Sequence, residues 1–592
     1  MQINKKILTL SFLILAASFI VYLPSLRNDF IWDDEVVIQK MHFLLKASSI
    51  KNIIIPQERE YKQARYYRPV HYASIVLDKY IWGIESFGFH LSNIIFHAVN
   101  SLLFFYLFRL LLIEFKIKDP ELTSFLGSLL FVLHPIHTES VSWIAGRTDM
   151  LCTMFFLLAL ISHILVRKNL LFLPFVIISY SLSLLSKEIG IAFPFVALSF
   201  DYLNKNLKRK NLIIYISYLL LTCLYIYLRG RAFINVPDLQ VLKEGSVGYG
   251  SLFTFIEPIK LLFNSYFFYI YKLLFPIELN AFIANVPIGL YYTSFSIITL
   301  LVISAITFYY GFKKDRILLF SFLFFIFTLA PSATVALSKI AVTPLAERYL
   351  YLPSIGFIII VTCLIQKLRA RLTGNFVLII FTALALSYLL LCLSRQTVWE
   401  NSLSLWKDAS QKSFLSPIPH TNYGAALIDN GQYEDAIKEL KIALSPKLND
   451  SNRGKALTSI NLGNAYIHLK KYRLAQQWFT RANKFDPSYG RTYYHLGLIY
   501  FIKAEIYSSK KHYKLAEKYL MQTLKYYHSY SKAHLLLARV YIGLGDKAGA
   551  KKQAGQALKI GGLSKDLSKD AEDIFKIDNY SGYKNPEKNS YR

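Results

Sequence analysis

Long apolar runs separated by short polar loops fill the first two thirds of the chain. Many hold about 18 to 25 residues, the length that an α-helix needs to cross a hydrocarbon core of about 30 Å. Each run predicts a membrane-spanning helix, so the pattern predicts an all-α, polytopic bundle of about 11 transmembrane helices. The runs are residues 7–24, 88–113, 123–139, 149–166, 170–186, 190–203, 212–228, 292–311, 317–336, 350–366 and 375–394.

One further apolar stretch, residues 251–280, carries Glu257, Pro258 and Lys260 in its interior. A crossing at this stretch would move the basic loops that follow it to the opposite side of the membrane. We therefore predict a re-entrant or interfacial hairpin here instead of a twelfth crossing.

Lys and Arg residues set the expected orientation of the bundle. The chain has a net charge of +29 and a mean hydropathy of +0.34, and many of its basic residues lie in short loops between the runs. With eleven crossings these loops share one side, which the positive-inside rule identifies as cytoplasmic. Such loops give no reason to expect a nucleic-acid partner. They lie at residues 5–6, 116–118, 167–168, 205–210, 313–316 and 367–371.

After residue 395 the composition becomes that of a soluble protein and a repeat is visible. Gly424, Gly463 and Gly497 begin equivalent turns, 39 and 34 residues apart, and Ala538 takes the equivalent position in a fourth copy. A helix pair of about 34 residues with small residues at the helix contacts is typical of the tetratricopeptide repeat. Such repeats stack into an α-solenoid with a concave surface suited to an extended peptide, the alternative being a structural cap or a dimer contact. The predicted domains are 1–395 in the membrane, a linker over 396–419, repeats over 420–562 and a polar tail over 563–592.

Ionisable side chains concentrate in the loops on the predicted outer side. The first outer loop begins with RNDFIWDDEVV, residues 27–37, which places four carboxylates next to a span. Ionisable groups in or beside spans are costly, so each is a functional hypothesis. The cations of the outer loops are Arg68, Arg147, Lys187 and Arg348, and their other candidate polar residues are His90, His97, His134, His137, Glu139, Asp149 and Glu188.

Two kinds of site fit these residues. In the first, His134, His137 and nearby acids bind a divalent metal, but Pro135 breaks the helical spacing between the histidines. In the second, a carboxylate activates a hydroxyl while the cations neutralise a membrane-anchored phosphate. A Gly-rich loop for a soluble nucleotide is not visible in the sequence. We favour the second site and expect no cofactor, with a divalent metal left open.

Five strings, in order and on the same predicted side, carry a family resemblance. They are NDFIWDDE, YYRPVHYASIVLDKYIWG with FGFHLSNIIFHAVNSLLF, HPIHTESVSWIAGRTDMLCTMFFLLAL, LSLLSKEIGIAFP and AERYLYLPSIGF. Together with the trailing repeats they resemble the transmembrane and tetratricopeptide-repeat O-mannosyltransferase family of the C-type glycosyltransferase superfamily. The resemblance implies transfer of a mannose-like sugar from a polyprenyl-phosphate donor to protein Ser or Thr hydroxyls outside the cytoplasm. The partners it implies are this donor, a protein acceptor and membrane lipids.

The resemblance also implies residue roles. The acidic motif of the first outer loop supplies the catalytic carboxylate, which is Asp34 with Asp33 as the alternative. Arg147, Lys187 and Arg348, with Arg68 beside them, are expected to stabilise the phosphate that leaves in an inverting displacement. The residues expected to support the site or to contact substrate are His90, His97, His137, Glu139, Glu188 and Tyr349. Each has an alternative interpretation. The histidines fit a structural role equally well, the glutamates could hold the cations in place, and Tyr349 could be an aromatic residue at the membrane interface.

Other functions remain open at this point. The chain could be a non-catalytic membrane scaffold that recruits partners through its repeats, or a transferase of the same superfamily that acts on envelope glycan or lipid. A transporter is less favoured, because the acids lie in outer loops and no internal repeat of spans is visible. We expect a bacterial inner membrane with the repeats in the periplasm, or the lumen of the endoplasmic reticulum in a eukaryote.

Overall fold

The fold is helical in both of the compact units into which the chain divides, Met1–Leu405 and Trp406–Arg592. The computed structural model describes residues 5–34, 37–38, 67–207, 212–233, 256–313, 315–338, 343–369 and 374–576. In these ranges the only β-type pairing is an isolated bridge between Ile283 and Leu345. The predicted all-α class is therefore confirmed.

The first unit is a bundle of helices joined by short loops and 3-10 turns. Its helices are α1 (Lys5–Tyr22), α2 (Pro69–Trp82), α3 (Ser86–Glu114), α4 (Pro120–Leu133), α5 (Thr138–Ser142), α6 (Arg147–Val166), α7 (Leu173–Ser186), α8 (Phe193–Leu203), α9 (Leu212–Phe233), α10 (Ile256–Leu274), α11 (Leu290–Lys313), α12 (Arg316–Ser338), α13 (Ser354–Arg369) and α14 (Gly374–Gln396).

Each of the eleven predicted spans overlaps one of these helices, but the span predicted over 123–139 is interrupted, because α4 ends at Leu133 and a 3-10 turn follows at Pro135–His137. By length and composition, seven helical segments of the described chain are long and apolar enough to cross a membrane, and two further apolar helices are shorter. The chain is thus a polytopic membrane protein, while the number of eleven crossings stays a prediction. The seven segments are Lys5–Arg27, Ser86–Glu114, Ile144–Val166, Leu212–Ala232, Leu290–Lys313, Arg316–Val335 and Phe376–Trp399.

The stretch 251–280 differs from the hairpin that its sequence predicts. Its described part contains a single helix, Ile256–Leu274, with no turn back on itself. Pro258 falls in the first turn of this helix, where the missing N–H of proline has no intrahelical partner to lose. Tyr269 and Leu273 are buried on one side of the helix, so tertiary packing stabilises a continuous helix.

Buried aromatic residues fill the centre of the membrane unit. Phe104, Phe108 and Phe131 belong to one hydrophobic core, and the rings of Phe104 and Phe108 stack at 5.6 Å. By contrast, helices α9 and α11 leave most of their apolar side chains exposed, as helices that face lipid do. The polar side chains described below are therefore enclosed by a tightly packed apolar scaffold.

The second unit is a series of helix pairs. Four pairs follow one another, and their glycines explain the period seen in the sequence. A Cβ atom on Gly463 would lie 2.2 Å from the Phe479 ring of the paired helix, and Cβ atoms on Gly424 and Gly497 would lie 2.5 and 2.7 Å from leucine side chains. Helix α15 (Ser402–Lys412) begins in the first unit and ends in the second. The helices that follow are α16 (Pro417–Asp429), α17 (Tyr433–Ala443), α18 (Asn452–His468), α19 (Tyr472–Phe485), α20 (Gly490–Tyr507), α21 (Lys510–Tyr526), α22 (Ser531–Leu544), α23 (Lys547–Ile560) and α24 (Lys565–Phe575).

Two segments at the ends of the repeats are more ordered than the sequence suggested. The predicted linker, 396–419, contains helix α15, and the first repeat helix already begins at Pro417. The predicted tail, 563–592, begins with helix α24, because Ala571 and Ile574 form an apolar face that is buried against the preceding helices. A short buried face of this kind is easily missed in a polar sequence.

Candidate functional site

The two adjacent aspartates of the first outer loop have opposite surroundings. Asp33 is exposed and Asp34 is fully buried. Asp34 accepts hydrogen bonds from two backbone N–H groups, that of Ala145 to Oδ1 at 2.8 Å and that of Ile31 to Oδ2 at 3.3 Å. Burial raises the pKa of Asp34 to about 8, although both N–H groups act to lower it. Asp34 is therefore a carboxyl group that ionises near neutral pH.

Aromatic packing and an unusual backbone conformation hold this loop in place. Trp32 stacks on Trp143 with ring centroids 4.9 Å apart, and Phe30 packs edge-on against Phe89 at 5.6 Å. Trp32 has a φ of 54°, in the left-handed region that bulky residues rarely adopt. This turn at Trp32 immediately precedes the two carboxylates. Glu35, the fourth carboxylate of this loop, lies outside the described residues.

Arg147 is the centre of a buried polar cluster. Its guanidinium pairs with Asp78 at 2.7 Å, and it donates from Nε to Oδ1 of Asn93 at 2.9 Å and from Nη2 to the Phe89 carbonyl at 3.0 Å. These contacts tie α2, α3 and α6 together. Arg147 is completely buried, so its observed partners are all protein groups.

Asn93 connects this cluster to the loop that holds Asp34. Its side-chain amide donates to the backbone carbonyls of Val141 and Trp143, both at 3.1 Å. These residues lie just before Ala145, whose N–H binds Asp34. Arg147 and Asn93 thus fix the 141–145 turn, and through Ala145 they orient the Asp34 carboxylate.

Three further cations form a second group. The Lys187 Nζ lies 2.6 Å from both carboxylate oxygens of Asp149 and 4.9 Å from the centre of the Tyr349 ring. The Arg348 guanidinium lies 5.1 Å from the centre of the same ring and pairs with Glu139. The structure therefore brings Lys187 and Arg348 to one aromatic side chain.

Arg68 completes this group through an ion pair with Glu188 at 3.0 Å. Burial opposes ionisation of Glu188, but the positive charges of Arg68 and Arg229 hold its pKa at about 2. Glu139 and Glu188 each contact a cation, as they must if they hold the cations in place. Each of the three cations in this group has a carboxylate partner.

His71 is within electrostatic reach of cations of both groups and was not among the residues that the sequence pattern indicated. Its side chain is 4% exposed, and within the described chain its Nδ1 has no hydrogen-bond partner. Burial lowers the pKa of His71, and the charges of Arg147, Arg68 and Lys187 lower it further. A signal was present in the sequence, because His71 follows Arg68 by three residues at a helix start marked by Pro69.

The other candidate histidines are enclosed by protein atoms. The Nδ1 of His97 lies 2.8 Å from the Tyr351 hydroxyl, and the Nε2 of His137 lies 2.9 Å from the Ser354 hydroxyl. The Nε2 of His134 lies 3.2 Å from the Leu273 carbonyl, and His90 is fully buried. These contacts fit the structural role, while substrate contacts by these histidines stay a prediction.

A metal site was the alternative for His134 and His137. Their ring centroids are 5.8 Å apart. Among the residues that the structure describes, no group of three His, Cys, Asp or Glu side chains is arranged to hold a metal ion. Whether the reaction uses a metal is therefore left as a prediction.

The fold and these polar clusters define a class of protein, a polytopic membrane protein that carries buried ionisable groups and a helical repeat domain. Residues 458–489 match the family model of the tetratricopeptide repeat. Solved structures that resemble part of this chain include a tetratricopeptide-repeat protein of Thermus thermophilus, which is 19% identical. The match covers 32% of this chain and 94% of the Thermus chain, with a TM-score of 0.26. MamA of Desulfovibrio magneticus RS-1 is 20% identical, with 27% and 82% covered and a TM-score of 0.22.

Similarity over most of the chain is found to proteins named protein O-mannosyl-transferases. F38B6.6 of Caenorhabditis elegans is 27% identical, with 72% of this chain and 61% of the relative covered. TMTC3 of Homo sapiens is 23% identical with 82% and 56% covered, and Tmtc3 of Drosophila melanogaster is 24% identical with 80% and 58% covered. The resemblance to the transmembrane and tetratricopeptide-repeat O-mannosyltransferases is thereby confirmed. The chain spans between 56% and 61% of the length of these relatives.

Proposed function

We propose that this protein is an integral-membrane glycosyltransferase that moves a mannose-like sugar from a polyprenyl phosphate to Ser or Thr hydroxyls of proteins. The names of its relatives support the reaction class. The observation that carries the proposal is Asp34, a buried carboxyl group with a pKa of about 8, held at Ala145, two residues before Arg147. The reaction occurs on the non-cytoplasmic side, which is the periplasmic face of the inner membrane in a bacterium.

The proposed step is a single displacement. The acceptor hydroxyl gives its proton to the Asp34 carboxylate while its oxygen forms a bond to the anomeric carbon. The bond from this carbon to the phosphate oxygen breaks, and the polyprenyl phosphate leaves with the electron pair, so the anomeric configuration inverts. A general base of this kind contributes about 10²–10⁴-fold in rate, most effectively when its pKa lies near the working pH.

We assign the leaving phosphate to the second group of cations, Arg68, Lys187 and Arg348. Negative charge that develops on a leaving phosphate is stabilised by fixed cations in a site shielded from water. Each of these cations is balanced by a carboxylate, so their positions are held before a donor binds. His71, with its unpartnered Nδ1, is a further donor for a phosphate oxygen when that nitrogen carries the proton.

Arg147 receives a different role in this proposal. Its buried contacts with Asp78 and Asn93 support the 141–145 turn, and this turn orients Asp34. Arg147 is therefore a positioning residue for the carboxylate. The sequence-based expectation of a phosphate contact applies in our proposal to Arg68, Lys187 and Arg348 only.

The proposal is tested with Asp34→Asn and Asp33→Asn in the purified full-length protein, supplied with polyprenyl-phosphate mannose and a Ser/Thr-containing protein acceptor. We expect Asp34→Asn to bind the donor but to lose transfer by at least about a hundredfold, the range for a lost general base. Asp29→Asn is the matched control, because Asp29 is an exposed acid of the same loop. Undiminished transfer in both Asp33→Asn and Asp34→Asn would exclude the mechanism.

A further inference from the structure

The positive charge of this chain is not confined to the loops between the spans. Residues 451–560, the second to fourth repeats, contain 20 Lys and Arg residues but only 4 Asp and Glu residues. The first repeat, residues 417–450, contains 3 Lys and Arg and 5 Asp and Glu. More than half of the net charge of +29 is thus carried by three repeats. The positive-inside rule does not account for it, because these helices are not membrane spans.

Twelve of these 20 cations lie on the second helices of the three repeats, and many of them are exposed. In α19 the opposite face is buried through Ala475, Phe479 and Ala482, and α21 and α23 bury equivalent residues. We call the exposed side of these three helices the basic face. It carries Arg473, Arg481 and Lys484 on α19, Lys514, Lys518 and Lys525 on α21, and Lys552 and Lys559 on α23.

One row of lysines crosses the three stacked repeats. Lys484, Lys525 and Lys559 each follow, by two residues, a buried small residue at the same position of the repeat. Equivalent positions of a solenoid lie side by side, because each repeat packs only on its neighbours. A row of positive charge therefore runs along the basic face.

Acids do not interrupt this surface. Helices α19 and α23 contain no Asp or Glu. The single acid of α21, Glu517, interacts with the Tyr541 hydroxyl of the next helix. In ordinary soluble helices, acids four residues from lysines balance the charge and stabilise the helix. The basic face lacks this balance over three successive helices.

We propose that the basic face binds the anionic headgroups of the bilayer surface. Six of its eight cations are lysines, whose hydrated point charges suit a diffuse anionic surface, whereas the planar fork of arginine suits a defined carboxylate or phosphate partner. Basic clusters next to membrane spans are attracted to anionic lipids in this way.

The position of the repeats in the chain favours a lipid surface over a soluble acidic protein. Only 17 residues, 11 of them in helix α15, separate Trp399, at the end of a segment long and apolar enough to cross a membrane, from Pro417, where the first repeat helix begins. A tether this short gives the bilayer surface a high effective concentration at the repeats. The proposal does not depend on the sugar-transfer chemistry of the membrane unit.

The test is amine labelling of the full-length protein in lipid nanodiscs, followed by mass spectrometry of each lysine. Nanodiscs of phosphatidylcholine alone are compared with nanodiscs in which about a third of the lipid is phosphatidylglycerol, an anionic lipid. We expect labelling of Lys518, Lys525, Lys552 and Lys559 to slow at least about threefold in the anionic discs. The protection should vanish in about 1 M salt, where the screening length falls to about 3 Å.

Lys438 and Lys441 of the first repeat are internal controls whose labelling should not change with lipid composition. In the variant Lys514→Glu/Lys518→Glu/Lys552→Glu, the protection of Lys525 and Lys559 should disappear, and circular dichroism verifies that the helices remain folded. Equal labelling in both kinds of nanodisc would overturn the proposal. Protection by soluble polyglutamate, with none from phosphatidylglycerol, would also overturn it and assign the face to an acidic polypeptide.

Discussion

At the scale of single residues, Asp33 and Asp34 are neighbours in sequence but differ completely in environment. The left-handed backbone at Trp32 and its stacking on Trp143 precede a turn that buries Asp34 and leaves Asp33 exposed. Since burial disfavours the charged form, it raises the pKa of Asp34 to about 8. The reactivity of this loop is therefore set by the packing of its aromatic residues.

This pKa predicts a distinctive pH dependence. The base must be ionised, so kcat/KM for transfer should rise with pH up to about 8 and then level off. Ionisation of Asp34 also lowers stability, because its pKa is 3.8 as a free side chain and about 8 in the folded protein. The free energy of unfolding that this group contributes is present below pH 3.8 and is lost as pH rises through about 8. The pH profile of transfer and thermal melts in lipid nanodiscs measure both effects.

Asp34→Asn should remove the part of the pH dependence of stability that Asp34 contributes, while Asp29→Asn should keep it. A wild-type profile that stays flat from neutral pH to well above the Asp34 pKa of about 8 would contradict the role of Asp34.

The two groups of cations predict two kinds of kinetic defect. Arg68→Ala and His71→Phe should raise KM for the donor, because these side chains are assigned to the phosphate and the ion pair of Arg68 with Glu188 is partly exposed. Arg147→Ala should instead lower stability by about 3–5 kcal/mol, the cost of leaving a buried partner such as Asp78 uncompensated, and should lower kcat. Steady-state kinetics together with thermal unfolding separate these outcomes. If Arg147→Ala changed only the KM for the donor and left stability unchanged, Arg147 would have to be assigned to the donor phosphate instead.

At the scale of helices, the repeat domain depends on close contacts between paired helices. Gly463 has no room for a side chain, since a Cβ atom would meet the Phe479 ring at 2.2 Å. Gly463→Val should therefore destabilise the repeats by about 1–3 kcal/mol, the usual cost of overpacking. Circular dichroism melts of the full chain measure the loss. Thr480→Ala, an exposed substitution on the paired helix, is the control and should leave the transition unchanged.

The helices could largely be predicted from the sequence, because the length of an apolar run and the repeat period are local properties. The prediction of a hairpin over 251–280 was wrong, because Glu257 and Lys260 were interpreted as interruptions of an apolar helix. In the structure they pair with each other at 3.0 Å near the start of a continuous helix. The site was harder to predict. His71 and Asn93 acquire their roles from residues that are remote in sequence, and no local pattern states which of Asp33 and Asp34 points inward.

At the scale of the whole molecule, the eleven-span topology predicts that the outer loops and the repeats lie on the same side of the membrane. Eleven crossings give this arrangement, and a crossing by α10 would move the repeats to the cytoplasmic side. In a Cys223→Ser background, Thr480→Cys should react with a membrane-impermeant maleimide added from outside the cytoplasm, and Asn206→Cys should not. Equal labelling of the two positions would contradict the eleven-span topology.

The central claim is transfer of a sugar from a polyprenyl phosphate to a protein hydroxyl by direct displacement. The most direct measurement supplies the purified protein with polyprenyl-phosphate mannose of known anomeric configuration and analyses the product by mass spectrometry and NMR. We predict mannose attached to Ser or Thr with the configuration opposite to that of the donor, and no product with Asp34→Asn. Product with retained configuration, or sugar found only on lipid or glycan, would contradict the account.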